Sequence, residues 1–309
     1  MNENQFKDCT IVITTFFAGE KLEKCINQLP KNIKKLIIDN GNEISKKNIF
    51  EKNYNNLIYY LSNENLGVPR SYSLADSLVD TKYMFNTQPD VLIQKNCIEI
   101  LLEKKKLYEN SAILSPTIFH EGKYFLDGDY KILKIKNNKL IETKKFFFNQ
   151  KLNKKPDGDL SVDAVTGTAM LIDREKLKEI NGWDTNIFNY FEDMDLCLRF
   201  RQKGYEIIKI SNAFVDHHAF SSHDVKFHKQ LDYSRNWHYA WSNIYFFKKN
   251  ISKYNGLTKG IKMFITSFIK SIVYLLFNKK KSISHFAKST GSIYSILGFK
   301  SSHRPNLKK

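Results

Sequence analysis

TIVITTFFAGEKLEKCINQLPKNIKKLIIDNG, residues 10–41, is the stretch from which the architecture can be read. Residues 10–14 (TIVIT) are a β-branched run bounded by Phe16-Phe17-Ala18-Gly19, the pattern of a short buried strand. Residues 20–29 carry Leu22, Cys25, Ile26 and Leu29 at helical spacing and stop at Pro30. Residues 35–39 (KLIID) are a second buried strand, closed by the turn signal Asp39-Asn40-Gly41. Strand, helix, strand is the unit from which parallel sheets are built, because only a crossover lets two neighbouring strands run the same way.

Further along, residues 56–61 and 82–86 read as strands, residues 71–79 as a helix after Pro69, residues 93–108 as an amphipathic helix and residues 112–115 as a fifth strand. This alternation predicts an open, mostly parallel α/β sheet, in which ligands bind beyond the carboxyl ends of the strands. The loops after Thr14, Asp39, Leu61 and Asn86 are therefore the places to look. Residues 117–159 change character: DGD at 127–129, NN at 137–138 and DGD at 157–159 break the apolar runs and suggest hairpins and a mobile loop. A strand over 164–172, a helix over 174–180, a loop entering a helix over 188–203 and a strand over 206–210 follow. Helical spacing then covers 227–249 and 257–277.

The chain has 309 residues, 42% apolar and 14% aromatic, enough for a sizeable core and incompatible with a disordered or fibrous protein. Its net charge of +17 is unevenly placed: residues 226–309 hold 17 Lys and Arg against one acid, Asp232. That asymmetry predicts a near-neutral domain over 1–225 and a basic helical extension over 226–309, not a uniformly basic nucleic-acid coat. Cys9, Cys25, Cys97 and Cys197 form no CxxC pair and fit no zinc spacing, so they read as small buried hydrophobes in a reducing compartment. His217, His218, His223, His228 and His238 cluster late but lack the spacing of a zinc site. Residues 1–8 have no apolar core of a signal peptide, and the longest apolar run, 264–277, is interrupted and shorter than the ~18–20 residues of a spanning helix. With Lys259, Lys262, Lys270 and Lys279–Lys281 beside it, this run reads either as a helix packed on the core or as an interfacial helix on anionic lipid.

The stretch with most chemistry is FNYFEDMDLCLRFRQKGY, residues 188–205. Glu192 and Asp193 stand where an aromatic loop enters a helix; they suit a helix N-terminus electrostatically and also suit acid–base work. Asp195 and Arg199, spaced i,i+4, pair along the helix. Asp39 can accept from a pyrimidine N–H or form an Asx turn before Gly41.

Residues 167–205 resemble the second signature of family 2 glycosyltransferases, closest to the rhamnosyltransferase-like branch, in which an aromatic stretch leads into Glu-Asp-x-Asp-Leu-Cys-Leu-Arg. Ile37 to Gly41 looks like that family's nucleotide-base loop, Asn63 to Gly67 with Arg70 like its Asn-x-Gly segment, and Asn86 to Val91 like a variant of its metal motif. Val215-Asp216-His217-His218 resembles the family's late strand ending in His, and residues 235–249 (RNWHYAWSNIYFFKK) its following helix. The resemblance spans about residues 10–250 and implies a GT-A type, Rossmann-like mixed sheet with a helical basic C-terminal extension.

It further implies inverting transfer of a sugar from a nucleoside diphosphate to a hydroxyl of a growing, lipid-linked surface glycan, such as an O-antigen or capsule precursor. Rhamnose is the first guess; galactofuranose, glucose and galactose stay open. Asp193 matches the family's base, with Glu192 as an orienting or acceptor-binding neighbour. Asp90 is the implied ligand of Mg²⁺ or Mn²⁺ and His217 the second; Gln88 stands where the family often has another Asp, which puts strict metal dependence in question. Thr14, Asp39, Asn65, Gly67, Arg70, Gln88, Gly167 and Thr168 are the implied donor and acceptor contacts, with Gly67 giving close backbone approach and Arg70 a phosphate partner. The expected location is cytoplasmic, on the inner face of the cell membrane. Two other readings compete: a family member without catalysis, given Gln88, and a nucleic-acid binder using Trp237, Tyr239, Trp241, Tyr245 and Phe246 among the basic residues.

Overall fold

The computed structural model describes residues 6–120, 122–124, 133–136, 139–142, 157–218, 223–224 and 227–305. The expected sites at 127–129 and 137–138 lie outside them. The front of the chain forms strands β1 (Cys9–Thr15), β2 (Lys34–Asp39), β3 (Leu57–Leu61) and β4 (Tyr83–Thr87), joined through helices α1 (Lys21–Asn27), α2 (Ile44–Asn53) and α3 (Gly67–Leu78). After them come β5 (Val91–Ile93), α4 (Cys97–Leu107), β6 (Ser111–His120), β7 (Lys123–Tyr124) and a β8–β9 hairpin (Leu133–Lys136, Lys139–Glu142). Next come β10 (Leu160–Val162), β11 (Ala169–Asp173), α5 (Arg174–Glu179), α6 (Glu192–Gln202) and β12 (Glu206–His217). Three long helices close the chain: α7 (His228–Asn250), α8 (Lys253–Phe277) and α9 (Lys279–Ile296).

The main sheet runs β10-β12-β6-β11-β4-β1-β2-β3, with β5 beside β12 and β7 beside β6. β3, β2, β1 and β4 are parallel, as the alternation predicts. The remainder is mixed: β11 lies antiparallel between β4 and β6, while β12 runs parallel to β6 and antiparallel to β5 and β10. Successive residues of β1 feed opposite sides of the sheet, Ile11 and Ile13 into one apolar cluster and Val12 into the other. One layer is completed by Leu22 and Ile26 of α1 and Ile98 and Leu101 of α4, the other by Tyr72 of α3, Leu177 of α5 and Leu196 and Phe200 of α6. Both faces of the front strands are thus covered, which is why they read as unbroken apolar runs. The four cysteines are buried free thiols, and burial pushes the Cys9 and Cys25 thiols up to about 12.

Several expected boundaries are corrected. The strand expected over 164–172 is paired only over 169–173; residues 163–168 form a loop. The helix expected from 93 begins at Cys97, because Val91–Ile93 is claimed by β12 as an extra strand. α2 carries no apolar stripe to be read from sequence, and α9 buries mainly Ser, Ala and Gly, which do not announce a core-facing side. Asp159, within the second DGD, accepts from Lys104, Tyr108 and Ser211 and serves packing between α4 and β12.

The C-terminal helices are built in an unusual sense. The buried residues of α8 are Gly256, Gly260, Ser267 and Ser271, while Leu276 and Phe277 are each 80% exposed and Ile265, Ile269, Ile272 and Val273 also face outward. α9 repeats this, burying Ser282, Ala287, Ser289, Gly291, Ser292 and Ser295 and exposing Ile283, Phe286 and Leu297. Gly291 lies so close to α7 that a Cβ there would collide with the Trp237 carbonyl. α8 is 25 residues long and contains an 18-residue stretch with a mean hydropathy of 1.6, long and apolar enough by length and composition to cross a membrane, a correction to the expectation from residues 264–277 alone.

Candidate active site

The carboxyl ends of β1, β2 and β4 open into a cleft of about 410 Å³. Thr14, Asn65, Gly67, Gln88, Asp90, Gly167, Thr168, Glu192, Asp193 and His217, all marked in the sequence, line it together.

Asp90 reaches the cleft because Pro89-Asp90 turns the chain from β4 into β5. Pairing of Val91 with His217 then sets the end of β12 alongside, and the His218 N–H donates to the Asp90 carbonyl at 3.0 Å. His217 Nε2 stands 3.8 Å from Asp90 Oδ2, and Thr168 Oγ1 lies 3.4 Å from His217 Nδ1. One carboxylate and one imidazole form a donor set that Mn²⁺ accepts readily and Mg²⁺ less so. Their separation is a little wider than the ~3 Å between adjacent ligands of an octahedral ion with ~2.1 Å bonds, so a modest inward movement would let both bind. The residues fit a divalent cation that draws its other ligands from substrate oxygens and water. Among the described residues no group of three or more His, Cys, Asp or Glu side chains forms a cage of its own.

The second half of the site is the start of α6. Tyr190 and Phe191 both have left-handed backbones, with φ of 68° and 67°. Such a conformation costs a non-glycine residue roughly 1–3 kcal/mol and survives only where surrounding packing holds it. Here α7 supplies that packing: Tyr239 sits edge-on to Tyr190 and tilted against Phe191, Phe246 packs on Phe191, and Ser242 Oγ donates to the Asn189 carbonyl at 2.8 Å. The tight turn presents Glu192 and Asp193 to the cleft. Asp193 Oδ2 accepts the Gly167 N–H at 2.9 Å, tying the 163–168 loop to the helix, and Oδ1 accepts the Met194 N–H at 2.7 Å. Glu192 is 9% exposed, and its Oε2 has no hydrogen-bond partner among the described residues. Burial, and then the charge of Asp193, push its carboxyl from 4.5 up to about 8. The pair therefore holds one proton near neutral pH. Deeper in α6, Asp195 pairs with Arg199 at 2.8 Å as its spacing predicts, and also with Lys249 of α7 at 2.7 Å.

Two sequence expectations are relocated. The Asp39 carboxylate is fully buried and already accepts from the Gly41 N–H, the Glu43 N–H and the Tyr59 hydroxyl. It is the Asx-turn reading that the structure takes, and the neighbouring Asn40 lines the cleft instead. Arg70 points away, to Glu64 at 3.1 Å and into a second cavity. Gly67 has φ of +72°, and a Cβ there would collide with the Phe188 carbonyl, so its close approach is to this aromatic loop.

Sequence reading missed Phe16, His223, Ser234, Arg235 and Pro305, all on the cleft wall. Among the described residues Arg235 of α7 is the one permanent cation on that wall, paired with Asp232 at 3.1 Å. A signal for it existed: Arg235 and Arg304 are the only arginines among 17 cations of the basic stretch, and arginine suits phosphate better than lysine does. His223 lies against the Phe16 carbonyl through Nδ1 at 2.7 Å, and burial takes its imidazole down to about 4, so it is neutral in the working range. Trp237, Trp241 and Phe246, considered as stacking platforms for nucleic acid, are buried in helix packing.

The family model for glycosyl transferase family 2 matches residues 10–180, more than half of the chain. The chain belongs to that family. Its fold recurs in solved glycosyltransferase structures. GalNAc-T7 with UDP, GalNAc and Mn²⁺ superposes with a TM-score of 0.54 at 14% identity, covering 77% of this chain and 51% of that one, so this chain spans about half of its length. The mannosyltransferase PcManGT from Pyrobaculum calidifontis, in complex with GDP-Man and Mn²⁺, gives 0.56 at 8% identity over 94% and 87% of the two chains. S. aureus TarS 1-349 gives 0.51 at 10% identity over 94% and 92%. No curated protein matches the sequence. The GT-A type mixed sheet with a C-terminal helical region, implied by the sequence resemblance, is the fold of this family 2 member.

Proposed function

We propose that the chain is an inverting glycosyltransferase that moves a sugar, with rhamnose the first candidate, from a nucleoside diphosphate onto a hydroxyl of a growing, lipid-linked surface glycan such as an O-antigen or capsule precursor. The observation that carries this reading is one cleft holding two chemistries: Asp90 with His217, suited to a cation on a diphosphate, and the half-protonated Glu192–Asp193 pair, suited to deprotonating a hydroxyl. Inversion at an anomeric carbon is a single displacement: the acceptor oxygen attacks opposite the leaving diphosphate, and a base takes its proton. Asp193 is that base. Glu192 keeps its proton to about pH 8 and so cannot compete, but as a neutral acid it can donate a hydrogen bond to the acceptor. The Gly167 N–H holds the Asp193 carboxylate in place. Arg235 offers its guanidinium to the diphosphate, as does the cation that Asp90 and His217 would hold, which when bound would offset charge on the leaving group. The choice of rhamnose rests on the likeness of residues 188–205 to the rhamnosyltransferase-like branch.

The inverted packing of α8 and α9, small residues inward and large apolar ones outward beside Lys262, Lys270 and Lys279–Lys281, supports docking on an anionic membrane surface where a lipid-linked acceptor is found. The test is release of nucleoside diphosphate from dTDP-rhamnose, UDP-galactofuranose, UDP-glucose and UDP-galactose, with and without Mn²⁺, for the wild type and Asp193→Asn. One donor is turned over by the wild type, and the variant loses turnover while retaining nucleotide binding. Equal rates for the two proteins, or a product with the donor's own anomeric configuration, would overturn the mechanism.

A further inference from the structure

We infer that a second cavity, beside the cleft, binds the phosphate or diphosphate ester of the sugar acceptor. It measures about 690 Å³, within the ~300–1,000 Å³ of ordinary ligand sites, and lies between α3, residues 185–188 and the C-terminal helices. Arg70, Lys248, Lys249, Lys253, Lys300 and Arg304 line it, and among the described residues no Asp or Glu does. Two of these charges are answered: Arg70 by Glu64, and Lys249 by Asp184 and Asp195. Among the described residues no ion pair includes Lys248, Lys253, Lys300 or Arg304; Lys248 donates to the Ser295 carbonyl and Arg304 to those of Ser301 and His303, which leaves their charge unneutralised. The crowding is felt: after desolvation, Lys253 lowers the Lys248 ammonium, and Arg70 lowers the Arg304 guanidinium with Glu64 offsetting part of it. A concave wall of like charge focuses potential on an anion, and a phosphate ester, with several oxygens for forked guanidinium and ammonium donors, satisfies this set best.

The position says which anion. Phe188 lines both the cleft and the cavity, and the Arg304 guanidinium lies 3.9 Å over its ring while Pro305 reaches the cleft. A molecule whose hydroxyl is at Asp193 can therefore keep its anionic group behind Phe188. Phe299, 54% exposed, lines the cavity, and exposed Leu297 stands next to it, continuing the apolar face of α9. An acceptor with a diphosphate and an apolar tail fits this order of surfaces; a phosphate-bearing glycan fits the charges alone. Calling the ligand an acceptor rests on the glycosyltransferase reading, whereas the binding does not.

Calorimetric titration without donor, in EDTA, tests it with inorganic pyrophosphate, farnesyl diphosphate and farnesol. Both diphosphates bind the wild type, and Lys253→Gln/Lys300→Gln, a pair of exposed positions, weakens them about tenfold or more. Arg304→Gln also weakens them, while Arg235→Gln in the cleft changes affinity less than threefold. Farnesyl diphosphate binding at least tenfold tighter than pyrophosphate identifies a lipid-linked source; equal affinities identify a phosphate on the glycan. The inference is overturned if farnesol binds as well as its diphosphate, if the lysine pair has no effect, or if Arg235→Gln abolishes binding. A wild type that binds these probes but turns over no donor would sink the proposed function and leave this site standing.

Discussion

Replacing Glu192 by Gln isolates the cost of a carboxyl held against its preference. Glu192 titrates at about 8 in the folded protein against 4.5 for a free side chain, because it is buried and beside Asp193. Below pH 4.5 it is protonated whether the chain is folded or not, and it costs nothing. Between 4.5 and about 8 the unfolded chain sheds a proton that the folded one keeps, so stability falls by about 1.4 kcal/mol per pH unit. Above 8 both forms are ionised and the loss levels off at up to about 5 kcal/mol, the product of that slope and the shift. Glutamine copies the shape of the protonated acid and has no charge to bury. The stability gap between Glu192→Gln and wild type therefore opens from about pH 4.5 and is constant above 8. At about 2 °C per kcal/mol for a large domain, Tm of the variant gains on the wild type by roughly 10 °C between pH 5 and pH 9. Differential scanning calorimetry of both proteins over this range measures it. In an Asp193→Asn background the like charge is gone and the gap shrinks. Tm curves that stay parallel from pH 5 to pH 9 would refute both the burial argument and the assignment of the shared proton to Glu192.

Asp193→Asn should lower transfer by about 10²–10⁴-fold while nucleotide Kd stays within threefold, measured by turnover and titration on one preparation. Asp90→Asn should bring donor affinity in Mn²⁺ down to its value in EDTA, and a retained Mn²⁺ effect would place the cation elsewhere. Gly67→Ala, which forces an alanine to φ of +72° against the Phe188 carbonyl, should cost more than the ~1–2 kcal/mol of left-handed backbone alone, read from urea unfolding. Ile269→Ser/Ile272→Ser/Leu276→Ser, three outward positions on α8, should leave Tm nearly unchanged and reduce flotation with anionic liposomes; unchanged flotation would refute the membrane reading.

The parallel front of the sheet was legible because both faces of β1 and β2 are covered, so Ile11, Val12 and Ile13 are all apolar. The Glu192–Asp193 pair was legible because acids after an aromatic run mark a helix start. What escaped depended on partners far along the chain. Val91–Ile93 is too short to announce itself, and only β12 makes it a strand, although that pairing is what brings Asp90 to His217. Ala164 and Val165 are as apolar as any strand, yet the chain must turn there to deliver the Gly167 N–H to Asp193. The carboxylate of Asp39 is taken up by the Gly41 and Glu43 N–H groups of its own turn and by the Tyr59 hydroxyl, which comes from the neighbouring strand at 3.1 Å and which local sequence does not announce. Residues 279–296 read as polar because the inner face of α9 is made of Ser, Ala and Gly, a pattern that makes sense only once α7 and α8 are packed against it.

The brace that α7 places on Tyr190 and Phe191 has a practical outcome. A shortened chain ending before residue 228 would keep every described strand and the acidic pair, and it would be easier to handle without its greasy, basic end. It would also release two aromatic residues from a backbone geometry they do not choose alone and strip Ser234 and Arg235 from the cleft wall. Such a fragment would lose turnover and, without Arg235, would bind a nucleoside diphosphate more weakly, so the smallest active version of this protein extends at least through Asn250, which donates to Asp195.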